Sequence, residues 1–85
     1  MVFLAITPAG LRQAIKLAET HASSIWCGAD AISEADYAEL GCLDVSRFTY
    51  PLVGEPKDVL QDALDTITEH HPNATIWIEQ AASAV

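Results

Sequence analysis

Apolar and polar positions fall in blocks along this chain, each with the period of a strand or a helix. Val2-Phe3-Leu4-Ala5-Ile6 is continuously apolar and partly β-branched, the pattern of a strand covered on both faces. Thr7 then offers a capping hydroxyl, and Pro8 suits a first helical position. Leu11, Ala14, Ile15 and Ala18 recur at helical spacing, with Arg12, Lys16 and Glu19 turned away. The spacing predicts a helix from about Pro8 to His21. Ser24-Ile25-Trp26-Cys27 reads as a second strand, closed by Gly28.

Ser33 with Asp36 three residues on resembles a capping box with Asp in place of Glu. Two helical turns follow, with Gly41 suited to the C-terminal cap. From Val45 to Leu52 the pattern alternates: Phe48, Tyr50 and Leu52 on one side, Arg47, Thr49 and Pro51 on the other. This predicts a half-solvated edge strand. Gly54-Glu55-Pro56 reads as a turn and helix start. The stripe Val59, Leu60, Ala63, Leu64, Ile67 carries that helix to about His70, where Pro72-Asn73 stops it. Ala74-Thr75-Ile76-Trp77-Ile78 reads as the last strand, and 81–85 as a short tail.

The element order β-α-β-(short α)-β-α-β implies right-handed crossovers and a small, mostly parallel four-stranded α/β sheet. Strand order 3-2-1-4 is expected, with 2-1-3-4 as the alternative. The 85 residues make one domain, 1–80, with one core. A chain this short buries about 60–65% of its unfolded surface, which favours a shallow site or an interface over a deep active site.

Charge changes the picture. Twelve acids face four bases (Arg12, Lys16, Arg47, Lys57), for a net charge of −8. Phosphate backbones and anionic lipids attract basic surfaces, so neither nucleic acid nor membrane is expected as a partner. No apolar run approaches the roughly 20 residues of a membrane span, and no signal peptide is read, so the expected location is cytoplasmic. Cys27 and Cys42 are too far apart for a CxxC pair and are expected as buried free thiols.

Five features could carry chemistry. Thr7, Gly10 and Arg12 mark a helix start beyond a strand's carboxyl end, where α/β sheets bind ligands and a helix dipole suits an anion. One glycine is neither GxGxxG nor a P-loop. Asp58, Asp62, Asp65 and Glu69 share one helical face, a candidate docking surface for a basic protein. His21, His70 and His71 lack the i,i+4 spacing of a metal pair, and a helix C-terminus explains the latter two. Cys27 or Cys42 with a histidine is the minimal nucleophilic pair, without a supporting motif. Trp26 and Trp77 either pack in the core or stand on a poorly covered sheet face, where they would mark an interface.

Val2 to Glu19, VFLAITPAGLRQAIKLAE, resembles the opening of the N-terminal domain of CbiG-type cobalamin-biosynthesis proteins. The likeness lies in a strand, then Ala5-Ile6-Thr7, then a Gly-Leu-x-x-Ala-x-x-Leu-Ala-Glu helix from Gly10 to Glu19. A fainter echo is the late helix followed by Ala74 to Ile78. The resemblance implies an α/β fold and shared ancestry. The family opens a lactone ring on a cobalt-corrinoid. Where it carries a Gly-Ile-Val-Val-Arg-like segment, this chain has Glu79-Gln80-Ala81-Ala82, and these residues include no counterpart of its second domain. No catalytic residue is therefore carried over.

The residues favour a non-enzymatic interaction or regulatory domain with a protein partner, or self-association through a sheet face or the Arg47 strand. No cofactor, metal or catalytic residue is assigned. The alternative is a small-molecule domain that binds an anionic or tetrapyrrole-like ligand near Thr7, Gly10 and Arg12. A third reading is an acidic mimic that inhibits a nucleic-acid-binding protein.

Overall fold

The computed structural model describes residues 1–20, 23–40, 44–52 and 57–79. The expectations on His21, Gly41, Cys42, the turn at 54–56 and the tail at 81–85 lie outside the described residues. The elements are β1 (Val2–Ala5), α1 (Pro8–Thr20), β2 (Ser24–Cys27), α2 (Glu34–Glu39), β3 (Val45–Arg47), α3 (Lys57–His70) and β4 (Ile76–Ile78). The four strands form one all-parallel sheet in the order β3-β2-β1-β4.

This order places the helices. The chain steps outward from β1 to β2 to β3, then crosses back over the sheet to add β4 on the far side of β1. Crossovers of constant hand that run in opposite directions leave their helices on opposite faces. One core accordingly joins Leu11 and Ala14 of α1 to Ala5, Ile25, Cys27 and Val45, with Tyr37 and Leu40 packed alongside. The other joins Ala63 and Ile67 of α3 to Val2, Leu4 and Ile6, with Trp26 and Ile76 alongside. Ala63 and Ile67 are sealed from solvent, which is why the apolar stripe of α3 is needed although few of its residues are buried.

Local chemistry sets the ends of the elements. Thr7 caps α1: its carbonyl accepts from the Leu11 N–H at 3.0 Å, and its hydroxyl accepts from the Gly10 N–H at 3.0 Å. Ser33 caps α2 by accepting from the Asp36 N–H at 3.1 Å. After α3, Asn73 takes a φ of 72°, a left-handed conformation that Asn tolerates better than most residues, and the chain reverses into β4.

The third strand differs from the alternating pattern in the sequence. It stops at Arg47, although Phe48 and Leu52 remain buried. The Phe48 N–H still donates to Cys27 O at 2.8 Å, and the Ala29 N–H donates to Tyr50 O at 3.0 Å. The segment thus changes partner from β2 to the loop beyond it. Gly28 makes this possible, because a Cβ there would press within 3.0 Å of Leu52.

Arg47 also departs from the expected solvent-facing position. Its side chain is 14% exposed and fastens the 29–32 loop. Nε donates to Ile32 O at 2.8 Å and Nη2 to Ala29 O at 3.3 Å. The Tyr37 hydroxyl adds a bond to Val45 O at 2.9 Å. Through these bonds α2 and its approach loop are tied to β3.

Candidate functional site

In a parallel sheet of this order the switch point lies between β1 and β4, where successive crossovers leave in opposite directions. The crevice beyond their carboxyl ends is the usual ligand position. Thr7 and the start of α1 sit there, as the sequence indicates. The crevice is filled from within by Glu79, the residue that follows β4.

The Glu79 carboxylate accepts from the Ile6 N–H at 2.6 Å, the Thr7 N–H at 2.8 Å and the Thr7 hydroxyl at 2.5 Å. The Glu79 N–H donates to Leu4 O at 2.9 Å, which extends the β1–β4 ladder to this residue. Burial pushes the carboxyl's pKa up, but the hydrogen bonds from the Thr7 side chain and the Thr7 and Ile6 backbone outweigh it, and the net shift is downward. Gly10 is part of the same arrangement: a Cβ there would collide with the Glu79 carboxylate. Thr7 and Gly10 are therefore brought together around an internal anion. Arg12 is exposed and stands apart, lining a shallow depression with Ala9, Gln13, Ile15 and Lys16.

The two tryptophans separate. Trp26 pairs in register with Leu4, and Trp77 with Phe3. Alternate residues of a strand point to opposite faces, so the two indoles lie on opposite sides of the sheet. Trp26 packs with the α3 core, its ring 5.2 Å from Phe48, 5.4 Å from His70 and 6.1 Å from His71. The two histidines thus face an aromatic ring. Trp77 lies on the α1 face beyond the reach of that helix and is 56% exposed.

Trp77 belongs to a larger patch. Leu17, on the same face, is 47% exposed, and Ile78, whose side chain alternates to the α3 face, is 44% exposed at the same edge. With Phe3, Gln13 and Glu79 they line an open depression of about 310 Å³ between α1 and β4. No strand flanks β4 on its outer side among the described residues. Its residues Ile76, Trp77 and Ile78 include no charge and no proline, the devices that ordinarily protect a sheet edge.

The other candidates are placed as follows. Asp58, Asp62, Asp65 and Glu69 are all exposed along α3. Gln61 donates to Asp65 at 3.0 Å. Asp62 lies near Tyr50, whose phenol is pushed up by burial and then by that charge. Cys27 is fully buried, and burial raises its thiol to about 11 against the opposing pull of Arg47, which suppresses the reactive thiolate. Among the described residues no three His, Cys, Asp or Glu side chains are placed to hold a metal ion, and no helix is long and apolar enough to cross a membrane.

Sequence reasoning missed Glu79. The available signal was positional: with β4 beside β1, the first residue beyond Ile78 must lie next to the end of β1, and there it is an acid. No protein-family model matches the chain, and no curated protein or solved structure matches it either.

Proposed function

We propose that this protein is a non-enzymatic recognition domain that binds another polypeptide through the outer edge of β4 and the uncovered ring of Trp77. The observation that carries this reading is the 56% exposure of Trp77 at an edge of a parallel sheet that no strand flanks among the described residues. Parallel sheets are ordinarily covered on both faces. An exposed tryptophan beside exposed Leu17, with exposed Ile78 on the other face of the same edge, is the composition of an interface centre.

Two further observations favour recognition over chemistry. The switch-point crevice, the natural place for a small ligand, is occupied by the Glu79 carboxylate, which accepts from the Ile6 and Thr7 N–H groups and the Thr7 hydroxyl. Cys27, the cysteine among the described residues, is buried with its thiolate suppressed. The acidic face of α3 serves in this reading as a solvated surface that keeps the protein dispersed.

The test is quantitative co-purification from the native host with a tagged chain. The amount of second chain retained, untagged copies included, is compared for wild type, Trp77→Ser and the double charge reversal Asp62→Lys/Asp65→Lys. Loss in Trp77→Ser with retention in the double variant is the expected outcome. Retention in Trp77→Ser with loss in the double variant moves recognition to α3 and overturns the reading.

A further inference from the structure

We infer that the occupant of the β4 edge is a second copy of this chain, joined antiparallel about a two-fold axis at Trp77 to make a continuous eight-stranded sheet. The inference rests on the proposed recognition role of β4 and names its partner.

The backbone supplies the first argument. The Val2 N–H donates to Thr75 O, and the Glu79 N–H donates to Leu4 O. In a parallel ladder alternate residues bond the same neighbour, so Thr75, Trp77 and Glu79 turn their peptide groups toward β1. Ile76 and Ile78 turn theirs outward. In an antiparallel pairing centred on Trp77, Ile76 lies opposite Ile78 of the second copy, and Ile78 opposite Ile76. These are the two residues of each strand whose N–H and C=O groups face away from β1 and meet no strand among the described residues. The same register therefore satisfies both copies, as a two-fold interface requires.

The side chains fit that register. Trp77 meets Trp77 of the second copy as a non-hydrogen-bonded pair, the closer type of cross-strand neighbour. A two-fold axis perpendicular to the sheet keeps both indoles on the α1 face. There each lies over the open depression lined by Phe3, Gln13 and Leu17.

Charge decides between a second copy and a basic partner. A chain of net charge −8 repels itself, so it can meet itself only where acids are absent. The β4 strand is uncharged, and the carboxylate of Glu79 is turned inward onto Thr7. A basic partner would instead be drawn to Asp58, Asp62, Asp65 and Glu69, on the helix that covers the opposite face. The β3 margin differs from the β4 edge: the Tyr37 hydroxyl already occupies the Val45 carbonyl, and the strand carries the charge of Arg47.

The experiment is sedimentation equilibrium of wild type, Trp77→Lys, Trp77→Glu and an equimolar mixture of the two variants. Circular dichroism confirms that each is folded, which the exposure of Trp77 permits. Wild type is expected at twice the 9.1 kDa chain mass. Each variant alone is expected as a monomer, with self-affinity weakened about a hundredfold or more. The mixture is expected to regain the dimer, because Lys then faces Glu. A wild-type monomer at every concentration overturns the second copy, and leaves the β4 reading to the co-purification result. A dimer that persists in Trp77→Lys overturns the placement at β4.

Discussion

Glu79 carries more of the local architecture than its position suggests. Three donors converge on one carboxylate, two from the backbone that enters α1 and one from its capping hydroxyl. Replacing it with Gln keeps the shape and removes the charge, and should cost about 1–2 kcal/mol at neutral pH. The pH dependence follows from the lowered pKa. The stabilising share is complete above the ordinary carboxyl value of 4.5, and is lost as pH falls through the lower folded value. Thermal melts of wild type and Glu79→Gln should therefore differ most at neutral pH and converge well below pH 4.5. A constant gap down to acid pH would contradict this role. Gly10 offers a second test with a change of sign. Its exchange for Ala normally stabilises a helix by about 1 kcal/mol. Here the added Cβ would displace the Glu79 carboxylate. Gly10→Ala should destabilise the native chain but stabilise a Glu79→Ala background, and denaturant unfolding of the four proteins measures the difference.

At the scale of elements, β3 shows how a three-residue strand is held. Two charge-assisted bonds from Arg47 tie it to the loop ahead of α2. Arg47→Met should cost about 2 kcal/mol. Its ion pair with Glu34, at 3.8 Å and with Glu34 89% exposed, should contribute little, so Glu34→Gln should leave stability within about 0.5 kcal/mol of wild type. Chemical denaturation of both variants distinguishes these contributions. The order of the seven elements was legible from hydrophobic period and capping signals alone, because each helix and strand carries its own pattern. The end of β3 was not. Phe48, Tyr50 and Leu52 alternate as a strand does, but their burial comes from packing with Trp26, α3 and Gly28 rather than from continued strand pairing. Arg47 was misplaced for a related reason: period two assigns a face, but nothing local says that a loop will cover that face. Glu79 was missed because its partners lie 72 and 73 residues away.

For the whole molecule, the strand order divides two similar indoles into different roles. Trp26, beneath α3 and against Phe48, should cost about 3 kcal/mol or more when truncated to Ala. Trp77, beyond the edge of α1, should cost well under 1 kcal/mol when changed to Ser in the isolated chain, while binding is lost. Urea unfolding of the two variants checks this asymmetry. Among the described residues the arrangement leaves the outer edge of β4 without a neighbouring strand, in a chain whose charge would otherwise keep copies apart. That edge is the centre of the functional account, and its peptide groups report on it directly. Amide hydrogen exchange on the gently purified protein, read at Ile76 and Ile78, is the decisive observation. If β4 is the recognition edge, both outward N–H groups will exchange as slowly as the ladder amides of β1, and Trp77→Ser will release them. If they exchange at the rate of free amides while β1 stays protected, nothing pairs with this edge and the account of β4 is wrong.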